Sequence, residues 1–428
     1  MDTFVGIDLG TSGCRGVAVD RRGEVIAEAV VDLPPSVSGT VGESQQDPDH
    51  WWQAVEQVLS RLGKTCRQTP IRAIAVDGTS STLLLCDEAG LPLTPALMYD
   101  DSRGREVLPG IRRVAPPDNP VLSASSSLAK LLYLKAGIGR RPFHALHQAD
   151  WIMGRLCGRF PLSDENNCLK LGYDPVERRW PDWMDSLELP PDCLPKVLPI
   201  GSRVGHLTTG VAKTTGLSEA IAVVTGTTDS NAAFIATGAD RIGDAVTSLG
   251  STLVLKILSD KPVFASEYGV YSHRLGQRWL VSGASNTGGA VCRAFFTDEQ
   301  IAHLTLQLTP DRPTGLDYYP LPRPGERFPV NDTALPPRLS PRPADDGRFF
   351  QAILEGIARI EQEGYALLQG LGAPAPRRVI SIGGGAINEP WRQMREKMLG
   401  VPVLRAGHQE AAYGAALLAQ QSIMSFEF

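Results

Sequence analysis

The chain has 428 residues, 42% of them hydrophobic and 21% charged, a composition that excludes a disordered chain and a length that suits two domains. Its formal net charge is −5, with Lys and Arg scattered along it, so nucleic acid is not expected as a main partner. The apolar segments are short and interrupted, so no membrane span is expected, and Met1 leads into a strand-like run without the basic and long apolar regions of a signal peptide. The seven cysteines, Cys14, Cys66, Cys86, Cys157, Cys168, Cys193 and Cys292, include no CxxC pair. A reducing, cytoplasmic setting without disulfides or a zinc site fits them.

In chain order, Phe4, Val5 and Ile7 end a buried strand, Gly6-Ile7-Asp8-Leu9-Gly10-Thr11-Ser12-Gly13 turns, and Gly16-Val17-Ala18-Val19 returns. Glycines that admit close backbone approach, the hydroxyls of Thr11 and Ser12, and the carboxylate of Asp8 suit an anion with magnesium; an ordinary hairpin reads the same way. Residues 23–33 alternate as a third strand. Asp47 before Pro48 starts a helix with Trp51, Trp52, Val55, Val58, Leu59 and Leu62 on one face. Residues 71–76 form a strand that runs into Asp77-Gly78-Thr79-Ser80-Ser81, a polar loop at a sheet edge where α/β proteins keep ligands. Another strand follows over 82–86.

Residues 96–103 end a strand in Tyr99-Asp100-Asp101-Ser102-Arg103, a cluster that can grip sugar hydroxyls or form a solvated turn. Ser125-Ser126-Ser127 caps a helix over 128–134. His144, His147 and Asp150 step by three, which drifts round a helix and favours a surface or helix-face role over a shared metal. A helix over 148–156 carries Trp151, and Trp180 and Trp183 sit in a connection suited to packing. A buried strand over 221–224 ends in Thr225-Gly226-Thr227-Thr228-Asp229-Ser230-Asn231 before a helix over 232–236. Asp229 there suits an N-cap, and a capped aspartate can still face a cleft.

Val246-Thr247-Ser248-Leu249-Gly250-Ser251-Thr252-Leu253-Val254-Leu255 then repeats the opening hairpin, with Gly250, Ser251 and Thr252 answering Gly10, Thr11 and Ser12. Ser248 stands where Asp8 stood. A repeat at half the chain length points to a duplicated domain, with the acidic chemistry in the first copy. Residues 317–343 form a proline-rich, stiff, irregular surface stretch, and 348–371 a long amphipathic helix. A strand over 377–382 stops at Gly383-Gly384-Gly385-Ala386, where a ring or ribose can lie on bare backbone, ahead of a helix over 389–399, a short strand over 401–404 and a last helix over 410–419. No G-x-x-x-x-G-K-[ST] occurs, so a nucleotide is expected between the halves, each hairpin taking part of the polyphosphate.

Seven segments in this order resemble the FGGY family of carbohydrate kinases over nearly the whole length: Gly6 to Ser12, Gln46-Asp47-Pro48 before Trp51-Trp52, Asp77-Gly78-Thr79-Ser80, Gly226-Thr227-Thr228-Asp229, Ser248 to Thr252, Gly325-Glu326-Arg327 and Gly383 to Ala386. The resemblance implies an α/β fold of duplicated ribonuclease H-like (actin-like ATPase) domains with an interdomain cleft. An N-terminal domain over 1–236, completed by a C-terminal helix over 410–428, would hold sugar and base, and 237–409 the nucleotide. It implies ATP and Mg2+, and transfer of the γ-phosphoryl group to a sugar or polyol hydroxyl. By position Asp229 matches the general base and Asp8 the carboxylate beside magnesium and substrate. Thr11, Ser12, Gly13 and Arg15 match the γ-phosphate site, Gly250, Ser251 and Thr252 the other phosphates, and Gly384, Gly385, Ala386 and Asn388 the adenosine site. Asp101 and Arg103 match the family's Trp-x-Asp-x-Arg sugar loop, with Tyr99 in place of the tryptophan.

The compact length is similar to the D-ribulose kinase branch of cyanobacteria and plants, in which Asp8, Ser80 and Asp229, with Thr11, would contact the ketopentose. D-ribulose is the first expectation and D-xylulose or another polyol the second, in a monomer or homodimer. An actin-like nucleotide switch or a non-catalytic sugar-binding regulator is the alternative of another class. The base-like Asp229 and the lack of a partner-binding tail weigh against it.

Overall fold

A computed structural model describes residues 2–424; of the helix expected over 410–428, residues 425–428 lie outside the described residues. The chain divides into two compact units, one running to Ala236 and resuming at Glu410, the other Thr237–Gln409.

The first unit is built on a six-stranded sheet. Its strands are β1 (Thr3–Leu9), β2 (Gly13–Val19), β3 (Val25–Asp32), β4 (Ile71–Gly78), β5 (Arg203–His206) and β6 (Ala222–Val224), in the order β5-β6-β4-β1-β2-β3. β1, β2 and β3 are antiparallel neighbours, whereas β4 and β6 join β1 in parallel. β1 is buried along its length except at Asp8, as a central strand covered on both faces must be. Helix α1 (Pro48–Thr65) begins where the sequence predicts, with Pro48 in its first turn and the Asp47 carboxylate accepting from Asp49 N–H. Its buried face of Trp51, Val55, Val58 and Leu62 covers the sheet at Gly16, where a Cβ would overlap Val58. Helices α2 (Ser127–Ile138), α3 (Gln148–Cys157) and α4 (Asp229–Ala236) complete the frame described here. Ser126 caps α2 by accepting from Ala129 N–H, and Asp229, expected to precede a helix, is the first residue of α4.

His144–His147 is a strand, not part of a helix. His147 is fully buried, its Nδ1 2.8 Å from Asp150 Oδ2 and its Nε2 2.9 Å from Ser127 Oγ. Among the described residues no group of His, Cys, Asp and Glu could hold a metal by itself, and no helix is long and apolar enough to cross a membrane. Trp180 packs edge-on to Tyr173, and Trp183 lies against the same small core.

The second unit repeats the plan with β7 (Asp244–Leu249), β8 (Leu253–Ser259), β9 (Tyr271–Leu275), β10 (Arg278–Ser285), β11 (Arg378–Ile382) and β12 (Val403–Arg405), ordered β9-β10-β8-β7-β11-β12. Again a hairpin and a third antiparallel strand sit beside two parallel strands. The turn pairing Leu249 with Leu253 is one residue shorter than the turn pairing Leu9 with Cys14. The proline-rich stretch differs from expectation: Tyr318, Leu321 and Phe328 are buried, and Tyr318 Oη donates to Pro341 O at 2.6 Å, so its aromatics anchor it in the core.

Helices α5 (Asp346–Gly370) and α6 (Glu389–Leu399) are joined beneath this sheet by a buried ion pair. Arg395 donates through Nε and Nη2 to the two oxygens of Glu361, each at 2.6 Å, and through Nη1 to Ser381 Oγ on β11 at 2.7 Å. Glu361 also accepts from Thr247 Oγ1 on β7 at 2.6 Å. Finally α7 (Ala411–Met424) returns to the first unit. It lies so close to β1 that a Cβ on Gly6 would overlap the backbone of Ala412 and Ala416, and Gly414 meets α4 at Ala232 in the same way.

Removing one partner of the buried pair strands the other charge. Arg395→Met is therefore expected to cost about 3–5 kcal/mol of stability, read from chemical denaturation of the second unit's transition. An unchanged midpoint would show that Glu361 is neutralised by other means.

Candidate active site

The register of β1, β4 and β6 brings three carboxyl groups to one end of the first sheet. Asp8 and Asp77 are paired residues of β1 and β4. Gly226 lets the chain after β6 lie against β4, since a Cβ there would overlap Val76 O, and Thr228 then bridges to Gly78. Asp229 follows at once, half-buried at the start of α4, its Oδ1 accepting from Ser230 N–H at 2.6 Å.

Electrostatics in this corner are dominated by burial and like charge. Asp77 is fully buried, and burial, the adjacent Asp8 and the charge of Asp229 together drive its pKa well above the carboxylate range. Burial also raises Asp8, against the opposing pull of Asp77 and of Arg15, which pairs with Asp8 across β1 and β2. Neither oxygen of Asp77 meets another donor among the described residues, so either a proton or a cation must lie between the two carboxyls. An orphaned buried carboxyl beside a second one fits a divalent cation. The phenol of Tyr99, half exposed, is raised by burial and then by the charges of Asp100 and Asp229.

Thr11, Ser12 and Gly13 form the tight turn of the first hairpin, closed by Gly10 N–H to Gly13 O at 3.0 Å. Gln46, a residue whose role the sequence did not reveal, secures it: its Nε2 donates to Thr11 O at 2.8 Å, while its Oε1 accepts from Trp51 Nε1 at 2.7 Å. Arg15 is ion-paired with Glu410. Ser80 is half-buried on the loop after β4. The Asp101 carboxylate is fully buried and occupied by Ser44 N–H at 2.9 Å and by the backbone and side chain of Arg103. Arg103 in turn reaches Glu43 and Gln45. These bonds tie the 99–103 loop to residues 43–45.

The second unit holds a cavity of about 740 Å³ lined by Gly250, Ser251, Gly288, Gly289, Gly384 and Asn388 among others. Its floor is glycine where neighbours press close: a Cβ on Gly289 would sit 2.9 Å from the backbone Gly250 O, and one on Gly385 2.9 Å from the side-chain Cβ of Leu249. Gly288–Gly289 clasps the second hairpin through Gly289 N–H to Gly250 O at 2.8 Å and Ala290 N–H to Ser251 O at 3.2 Å. Thr252 is exposed beside them and Ala386 is buried behind the triple glycine. Asn388 spends its side chain locally, its Oδ1 capping α6 at Trp391 N–H and its Nδ2 donating to Thr305 Oγ1 at 3.2 Å. Open backbone, an apolar wall and a hydroxyl-bearing turn fit a nucleotide. The buried Glu326 fixes this architecture by accepting from Ser285 Oγ and from Asn286 N–H, the latter at 2.8 Å.

Comparison with known proteins finds relatives for both parts of the chain. Residues 3–236 match the FGGY family of carbohydrate kinases, N-terminal domain, and residues 245–422 match its C-terminal domain. The xylulose kinase of Escherichia coli (strain K12) is 27% identical, the match covering 97% of this chain and 89% of the relative. Among solved structures, the ligand-bound xylulose kinase of Lactobacillus acidophilus superposes with a TM-score of 0.88 at 19% identity, covering 100% of this chain and 91% of the other. The gluconate kinase of the same organism gives 0.87 at 18%, covering 100% and 90%. Both halves of the duplicated α/β architecture are thus accounted for, and the chain belongs to the FGGY family of carbohydrate kinases.

Proposed function

We propose that the chain transfers the γ-phosphoryl group of ATP to a ketopentose, with D-ribulose as first substrate and D-xylulose as second. The observation that carries this reading is the convergence of Asp8, Asp77 and Asp229 with the Tyr99 phenol in one unit. Ser80, with Asp8 and Asp229 as expected ketopentose contacts, supports D-ribulose. The names of relatives such as the E. coli xylulose kinase support D-xylulose. The two sugars differ only in the configuration at C3, so a single hydroxyl contact separates them.

Asp229 accepts the proton of the attacking hydroxyl. A carboxylate is too weak a base to remove it in the ground state. In a loose transition state the proton moves late, once the hydroxyl oxygen has begun to bond to phosphorus, and a weak base is then enough. Asp8, backed by Asp77, would hold magnesium. Magnesium supplies charge neutralisation on the phosphoryl oxygens. Thr11, Ser12 and Gly13 donate to the γ-phosphate, helped by Arg15; Gly250, Ser251 and Thr252 meet the other phosphates; Gly384, Gly385 and Ala386 carry the adenosine, with Asn388 shaping the wall. Ser80 and Thr11 orient the sugar, while Asp101 and Arg103 act by fixing the loop that presents Tyr99.

ATP consumption with magnesium, compared across D-ribulose, D-xylulose, L-ribulose, glycerol and no sugar, tests the substrate; the strongest stimulation is expected from D-ribulose, and slow hydrolysis indifferent to every sugar would favour a nucleotide switch. Asp229→Asn is expected to lose about 10²–10⁴ in kcat while binding a fluorescent ATP analogue normally, and full turnover in that variant would remove Asp229 as the base. Glu326→Ala frees the 285–289 loop and should raise the KM for ATP about tenfold, leaving the KM for sugar unchanged.

A further inference from the structure

We propose that Lys130 is the positioning residue of the sugar loop, its ammonium holding Ser81 in a left-handed backbone conformation and so fixing Ser80 toward the substrate. The inference rests on the reading of Ser80 as a sugar contact.

Lys130 lies on α2 and is fully buried. Among the described residues its side chain makes one hydrogen bond, from Nζ to Ser81 O at 2.8 Å, and no ion pair. A lysine so placed is expensive, and burial takes its pKa down to about 7. A methionine would fill the same space without that cost, so packing does not explain the residue. The carbonyl it holds belongs to a strained residue: Ser81 has φ 67°, in the left-handed region that favours glycine, and its hydroxyl is buried with no partner among the described residues.

The rest of the loop is fastened from the opposite side. Thr79 donates through N–H and Oγ1 to Gln148 Oε1 at 3.0 and 2.9 Å, and Thr82 O accepts from Gln148 N–H. Gln148 fixes the ends of the turn, and Lys130 fixes its apex. One turn along α2, Tyr133 lies under the Arg103 guanidinium at 5.5 Å. The helix therefore braces both loops read here as facing the sugar, 79–82 and 99–103, from a single face.

Glycine adopts the Ser81 conformation without strain, which gives the test its control. Lys130→Met should accelerate amide exchange about tenfold across residues 78–83 while β4 stays protected. It should also lower kcat/KM for the sugar by about a hundredfold with the KM for ATP unchanged. Adding Ser81→Gly to Lys130→Met should restore much of both. Unchanged exchange in Lys130→Met, or equal losses for sugar and ATP with no rescue by Ser81→Gly, would overturn the proposal. If Lys130→Met does not fold, the double variant decides: folding with a protected loop supports the proposal, and a chain that stays unfolded overturns it. Ser80→Ala separates the two readings. An unaltered sugar KM there removes Ser80 from the site and the positioning of substrate with it, whereas the exchange result stands or falls on Lys130 alone.

Discussion

Three carboxyl groups converge where three parallel strands of one sheet end, and this crowding governs the first unit. Strand register sets it, because Asp8 and Asp77 are paired positions and Gly226 draws Asp229 alongside. Such an arrangement is unfavourable in isolation, since burial and like charge both oppose ionisation. It is relieved by a proton, by a cation, or by the positive neighbour Arg15. Two adjoining buried carboxyls, one of them without another donor, have the chemistry of a divalent-cation site.

The two units show how one plan is bent to two tasks. Both use a hairpin whose turn exposes backbone and hydroxyls next to parallel strands. In the first the turn is pinned from below by Gln46, and in the second it is clasped by Gly288 and Gly289 under the control of Glu326. Replacing Asp8 by Ser248 removes the charge from the second copy. Its glycine-lined cavity opens beside that uncharged hairpin.

Much of this was legible beforehand because local chemistry announces it. The Asp47-Pro48 start of α1, the Ser126 cap of α2, the paired hairpins and the triple glycine before α6 each depend on residues adjacent in sequence. Features that depend on who consumes a hydrogen bond were not legible. Asp101 and Arg103 have the composition of a sugar grip, and their spacing does not show that they also bond each other and residues 43–45. His147 was read on a helix face because spacing alone does not show that its ring is enclosed by Ser127 and Asp150. Asp77 looked like a loop residue until strand pairing set it opposite Asp8, and the proline-rich stretch looked superficial until Tyr318 and Phe328 were seen to be buried.

The return of α7 to β1 has a bearing on how the protein is made. The small residues of α7 cover the central strand of the first unit at Gly6, and Tyr413 Oη donates to Gly23 O at 2.9 Å. All of Thr237–Gln409 lies between those partners in the chain. During translation the second unit therefore emerges in full before the first can close, and the earliest-made strands wait with one face bare for the latest-made helix.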